Sequence, residues 1–193
     1  MIDYIKGTIT QLTPAFLTIE SSGIGYFINI SLTSYTKLEG KKEYKLLVHE
    51  VIREDSHQLY GFADKEERNI FRLLISVTGV GANMARMMLS SLSPAEIERA
   101  IIESEVNSLK GIKGIGLKTA QRIIVDLKDK LGKHAITGEI FAFSDNTKRE
   151  EALSALVMLG FAKSAVVKVL DKILQENKDL TVEELIKRAL KNL

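Results

Sequence analysis

The sequence predicts an α+β protein in several parts: an N-terminal β-barrel, a central all-α region and a C-terminal three-helix bundle. Three observations predict it. The apolar pattern alternates up to residue 62 and takes a helical period from Asp64 onward. A stretch of turn formers without sustained period, 133–147, separates two helical regions. A short Gly-bearing pattern appears twice in the central region, around Gly79 and again around Gly114.

The barrel is read from residues 1–63. Alternating runs such as Phe16-Leu17-Thr18-Ile19 and Tyr26-Phe27-Ile28-Asn29-Ile30 are separated by turn signals at Ser21-Ser22-Gly23 and Leu38-Glu39-Gly40. Tyr44 to Ile52 reads as a long strand, and Gln58 to Phe62 as a short one after a polar turn. About five short strands in so few residues suggest a small antiparallel barrel of OB-like type, a fold that commonly binds nucleic acid. Tyr4, Phe16, Tyr26 and Phe27 suit packing better than base stacking.

The helical region, 64–132, is read as five short helices. Asp64 with Glu67 forms an expected capping box ahead of Ile70, Phe71, Leu74 and Ile75. Ser93-Pro94-Ala95-Glu96 starts another helix, with a cap, a proline at the first position and an acid at the third. Residues 133–147 read as a flexible linker. Residues 148–193 then carry three helical patterns, the last opened by Thr181 and Glu184 as a second box. So few residues lie near the lower limit for an independent core, so this module is expected to be marginally stable and to dock on something.

Composition narrows the function. The chain has 193 residues, 45% hydrophobic and 27% charged, as in ordinary soluble proteins. No apolar run is long enough to span a membrane, and the first six residues lack the pattern of a signal peptide. A cytoplasmic location without membrane partners is therefore expected. The absence of cysteine excludes disulfides, thiol catalysis and thiolate metal sites. His49, His57 and His134 are scattered, without metal-ligand spacing, so neither metal nor cofactor is expected.

The two Gly patterns carry the chemistry. Leu74 to Ala85 and Leu109 to Ala120 follow one template: apolar, two spacers, apolar, spacer, Gly, apolar, Gly, three spacers, Ala. Such a template closes one helix, turns tightly and opens the next, leaving amides at a helix N-terminus for an anion. The second copy superficially resembles a P-loop. However, Leu117 separates Gly116 from Lys118, and Ser104 to Leu109 look helical rather than like the buried strand that precedes a P-loop. The pair instead resembles the helix-hairpin-helix motif of DNA-binding proteins, which grips the sugar–phosphate backbone without reading sequence. On that reading Gly79, Val80, Gly81, Asn83 and Arg86 form one backbone-binding set. Lys110, Lys113, Gly114, Ile115, Gly116, Lys118, Thr119 and Arg122 form the other. Val80 and Ile115 are expected to plug each hairpin into the core. Seven basic residues against two acids between Ser108 and Lys133 make the second copy the stronger expected anchor.

The order of parts, with Val51-Ile52-Arg53-Glu54-Asp55, Leu59-Tyr60-Gly61-Phe62 and Ala155 to Phe161, closely resembles the RuvA family of Holliday-junction-binding subunits. The chain departs from the family pattern at Lys113 and Leu117, and at Ala82-Asn83, where Pro and Lys are common. The resemblance implies a homotetramer, alone or paired as two tetramers, that holds a four-way DNA junction open during recombination and repair. It implies no catalysis of its own and two protein partners, a RuvB-type hexameric ATPase and a junction resolvase. Glu54 and Asp55, read from composition alone as an ordinary hairpin tip, become an acidic pin at the junction centre. Leu156, Leu159 and Phe161 become candidates for docking the motor, although they equally suit the bundle's own core. The competing readings are a helix-hairpin-helix repair enzyme of nuclease or glycosylase type and a general DNA-binding protein. The first needs a catalytic acid cluster or Lys–Asp pair after the second hairpin, and none is evident.

Overall fold

A computed structural model describes residues 1–138, 144–177 and 180–193, with side chains described for 1–131, 148–175, 177 and 180–193. The chain divides into two compact units, Met1–Lys133 and His134–Leu193.

The first unit begins with strands β1 (Tyr4–Leu12), β2 (Phe16–Ser21) and β3 (Ile24–Ile30), then helix α1 (Leu32–Leu38). Strands β4 (Glu43–Ile52) and β5 (His57–Phe62) complete a closed barrel in the order β1-β2-β3-β5-β4. Closure leaves no free sheet edge. Alternate residues of each strand point inward, so Leu17 and Ile19, Ile28 and Ile30, and Leu46 and Val48 fill the interior. The barrel is not wholly antiparallel, as the sequence had suggested: β3 and β5 pair in parallel, with Asn29 opposite Tyr60. A parallel neighbour needs a crossover. Helix α1 followed by β4 provides it, and the β4–β5 hairpin then returns the chain beside β3. Nothing in the alternation pattern announced α1. Its one local signal is Ser31, whose hydroxyl accepts from Ser34 N.

Helices α2 (Lys65–Ile75), α3 (Ala82–Ser91), α4 (Pro94–Ile102) and α5 (Val106–Lys110) follow, and then α6 (Leu117–Gly138), which runs past the end of this unit at Lys133. Ser93 and Glu96 form the expected capping box on α4, with Pro94 at its start. At α2 only half of the expected box exists. Asp64 Oδ1 accepts from Glu67 N at 2.8 Å, but the Glu67 carboxylate turns to the hydroxyls of Ser31 and Ser34. A buried tertiary contact has displaced the local one. The helices pack on the barrel through β5: Phe71 of α2 lies 5.2 Å from the Tyr60 ring and 4.9 Å from that of Phe62. Barrel and helices therefore share one hydrophobic seam, and they form a single unit.

The second unit holds α7 (Ser144–Met158), α8 (Lys163–Glu176) and α9 (Val182–Leu190) around Ala152, Leu156, Val166, Leu170, Ile173, Leu180, Leu185 and Ala189. The Thr181–Glu184 capping box is present. The segment read as a linker, 133–147, is helical at both ends, because α6 continues to Gly138 and α7 starts at Ser144. Its middle, 139–143, lies outside the described residues.

Candidate nucleic-acid interface

The two Gly patterns fold into the same shape. In the first, Val80 N donates to Val77 O at 3.0 Å across a four-residue turn, and Gly79 takes φ +92° at its third position. In the second, Ile115 N donates to Ile112 O at 3.0 Å, and Gly114 takes φ +91°. That left-handed conformation is strained for any residue with a Cβ. The next helices open identically, with Ala85 N bonded to Gly81 O at 2.9 Å and Ala120 N to Gly116 O at 3.0 Å. Ala85 and Ala120 are completely buried, so the flanking helices cross closely.

Gly81 and Gly116 are instructive in a different way. A Cβ on either would meet nothing within 4 Å, so the fold itself does not demand glycine there. Gly81 adopts an extended N-cap conformation at the start of α3, and no side chain caps the helix. The first amides of α3 thus point outward without an intrahelical acceptor, beside a surface where an anion meets no side chain. Gly116 holds the corresponding place before α6.

The side chains divide sharply. Val80 and Ile115 are buried, and their amides close the turns. Both side chains pack in the hydrophobic core of the helical region. Lys110, Lys113 and Lys118 are exposed, with neither an ion pair nor a hydrogen bond among the described residues. Thr119 is half-buried in the first turn of α6. In the first hairpin the polar groups are already engaged. Asn83 Oδ1 accepts from the Tyr60 hydroxyl at 3.1 Å. Arg86 Nη1 donates to Ala15 O at 2.9 Å and to Asn29 Oδ1 at 3.3 Å. Arg86, expected at the backbone, therefore ties α3 to the barrel. Arg122, on α6, donates to Thr78 O at 3.2 Å, reaching from one hairpin to the other. Sequence reading missed this crossing, because the two residues lie far apart in the chain. Helix α5 precedes the second turn, which removes the strand that a P-loop requires.

Glu54 and Asp55 sit exposed at the tip of the β4–β5 hairpin, where Arg53 N donates to Ser56 O at 2.8 Å. Neither forms an ion pair among the described residues. Glu50, lower on the hairpin, is different: it accepts from Ile2 N at 2.8 Å and contacts His57 at 3.3 Å. Those partners hold its carboxyl below the usual glutamate range, chiefly through the Ile2 amide. Phe16 and Phe27 stack on each other at 4.7 Å, and Lys45 covers the Tyr4 ring at 3.9 Å.

In the second unit, Leu156 is fully buried in the bundle core, which removes it from any docking face. Its spacing from Ala152, one helical turn, already placed both on one face. Leu159 is 62% exposed and Phe161 is half-buried against the core. The sequence reading overlooked Met158, which is 85% exposed beside Leu159. No described helix is long and apolar enough to cross a membrane.

Known families match this arrangement segment by segment. Residues 1–61 match the RuvA N terminal domain, 71–129 the SAM-like helix-hairpin-helix tandem, and 147–193 the RuvA C-terminal domain. The chain is 51% identical over 201 residues to the Holliday junction branch migration complex subunit RuvA of Bacteroides thetaiotaomicron. It is 50% identical over 193 residues to the subunit of the same name from Christiangramia forsetii, and 49% over 193 to that of Flavobacterium psychrophilum. Each alignment spans the whole of both chains. With about half of its positions shared from end to end and all three segments matched in order, the chain belongs to the RuvA family.

Proposed function

We propose that this chain is the Holliday-junction-binding subunit of a cytoplasmic branch-migration complex acting in recombination and DNA repair. The observation that carries the reading is the pair of matching hairpins, each with a left-handed glycine and an open glycine ahead of a helix. Backbone amides and lysines at such turns bind phosphates whatever the base sequence. Grip of that kind does not by itself distinguish a junction from a duplex. Repeating it by symmetry does, so the reading includes a homotetramer, alone or as two tetramers, with one arm of the junction against each copy. Glu54 and Asp55 would stand at the centre and repel phosphates from the crossover. The chain brings no motor: a RuvB-type hexameric ATPase would supply it, docking on the C-terminal unit, and a junction resolvase would be a further partner.

Competition binding tests this. A labelled four-way junction is challenged with unlabelled junction, linear duplex and single strand of matched sequence at one salt concentration. The junction is expected to compete at least about tenfold better than either, a margin of about 1.4 kcal/mol. Equal affinities overturn the assignment.

A further inference from the structure

The two turns differ in where their positive charge comes from. The second has Lys113 at its tip and Lys118 on the first turn of α6, both exposed and unpaired among the described residues. The equivalent positions in the first are Thr78 and Asn83, and Arg86 is drawn away to the barrel. Taken alone, the first turn has amides and, among the described residues, no free cation of its own. The Arg122 guanidinium nevertheless lies against it. Its Nη1 donates to Thr78 O at 3.2 Å and would sit 3.9 Å from a Cβ built on Gly79. One peptide carbonyl does not neutralise a guanidinium, and no carboxylate pairs with Arg122 among the described residues. Most of its five N–H donors remain to be used.

We infer that Arg122 is the cation of the first turn, although it is carried by the outgoing helix of the second. A phosphate held by the amides at Gly79, Gly81 and the start of α3 also receives the free edge of the Arg122 fork. Lys118 and Arg122 are four residues apart on α6 and so share a face. One face of one helix thus serves both turns, Arg122 the first and Lys118 the second. The inference rests on the DNA-binding reading above.

Phosphate-ethylation interference on a four-way junction, with the full-length chain, tests it. The sequence lacks cysteine, so an iron chelate on Thr78→Cys or Lys113→Cys marks which phosphates lie beside each turn by local strand cleavage. Arg122→Ala is expected to bind about tenfold more weakly. Its salt slope should fall by about one per bound copy. It should lose interference at the phosphates marked from position 78 and keep it at those marked from 113. Lys118→Ala should do the reverse. If Arg122→Ala loses both sets equally, only the second set, or neither, the inference is overturned. If the unaltered chain shows no preference for the junction, the functional assignment fails. The same interference pattern on linear duplex still decides the role of Arg122.

Discussion

Glu67 carries a carboxylate into the seam between α1 and α2, where the Ser31 and Ser34 hydroxyls donate to its two oxygens. Ser34 Oγ also accepts from Ala63 N at 2.8 Å, so one network joins barrel, α1 and α2. Burial pushes the Glu67 pKa above its ordinary 4.5, against the two hydroxyls that favour the ionised form, and nearby Asp64 pushes it further up. An acid whose native pKa is raised contributes full stability below its unfolded value and loses it as pH rises through the native one. The stability that Glu67 contributes should therefore decline from about pH 4.5 upward across that window. Glu67→Gln should flatten this decline in urea titrations. Glu67→Ala should cost about 2–4 kcal/mol at neutral pH by stranding two hydroxyls and leaving a void. A steep decline persisting in Glu67→Gln would assign it to another group. The same residue shows what sequence reading misses. Spacing from Asp64 correctly placed the helix start, but only the fold brings Ser31 and Ser34 close enough to claim the side chain.

At the level of elements, the β4–β5 hairpin is long, its strands paired from Leu47–Phe62 to Ile52–His57, and it ends in two exposed acids. Its strands and tip were legible from alternation and turn residues, as were both Gly hairpins, because these depend on local backbone chemistry. Helix α1 and the parallel β3–β5 pair were not, because they depend on how the barrel closes. The same limit applies to Arg86 and Arg122, whose partners belong to other elements. Carboxylates at a junction centre raise the energy of nearby phosphates, so removing their charge should relieve repulsion. The pair Glu54→Gln and Asp55→Asn is expected to bind a four-way junction equally well or up to about tenfold tighter, with the gain fading at high salt. Strand exchange should change in the motor-driven reaction. Collapse of junction binding in gel-shift titrations would make the tip a structural turn.

For the molecule as a whole, the two units have separate cores, and the proposed function assigns grip to the first and recruitment to the second. The barrel and hairpins pack on the shared seam through Phe71, while the C-terminal unit has its own small core around Leu156, Leu170 and Leu185. A core of that size supplies only a few kcal/mol, so substitutions inside it confound docking with unfolding. Leu156→Asp should unfold the unit, whereas the exposed pair Met158 and Leu159 lies where α7 ends and Gly160 turns the chain at φ +98°. Losing that apolar surface costs the fold little, because water already reaches most of it. Met158→Asp with Leu159→Asp is thus expected to keep the helical circular dichroism and bind junctions within about threefold of the original, as surface changes do. It should lose stimulation of the partner ATPase to the same degree as deletion of residues 147–193. Full stimulation by the double variant would move the docking face elsewhere on the bundle. Loss of junction binding by the deletion would show that grip and recruitment are not separable in this chain.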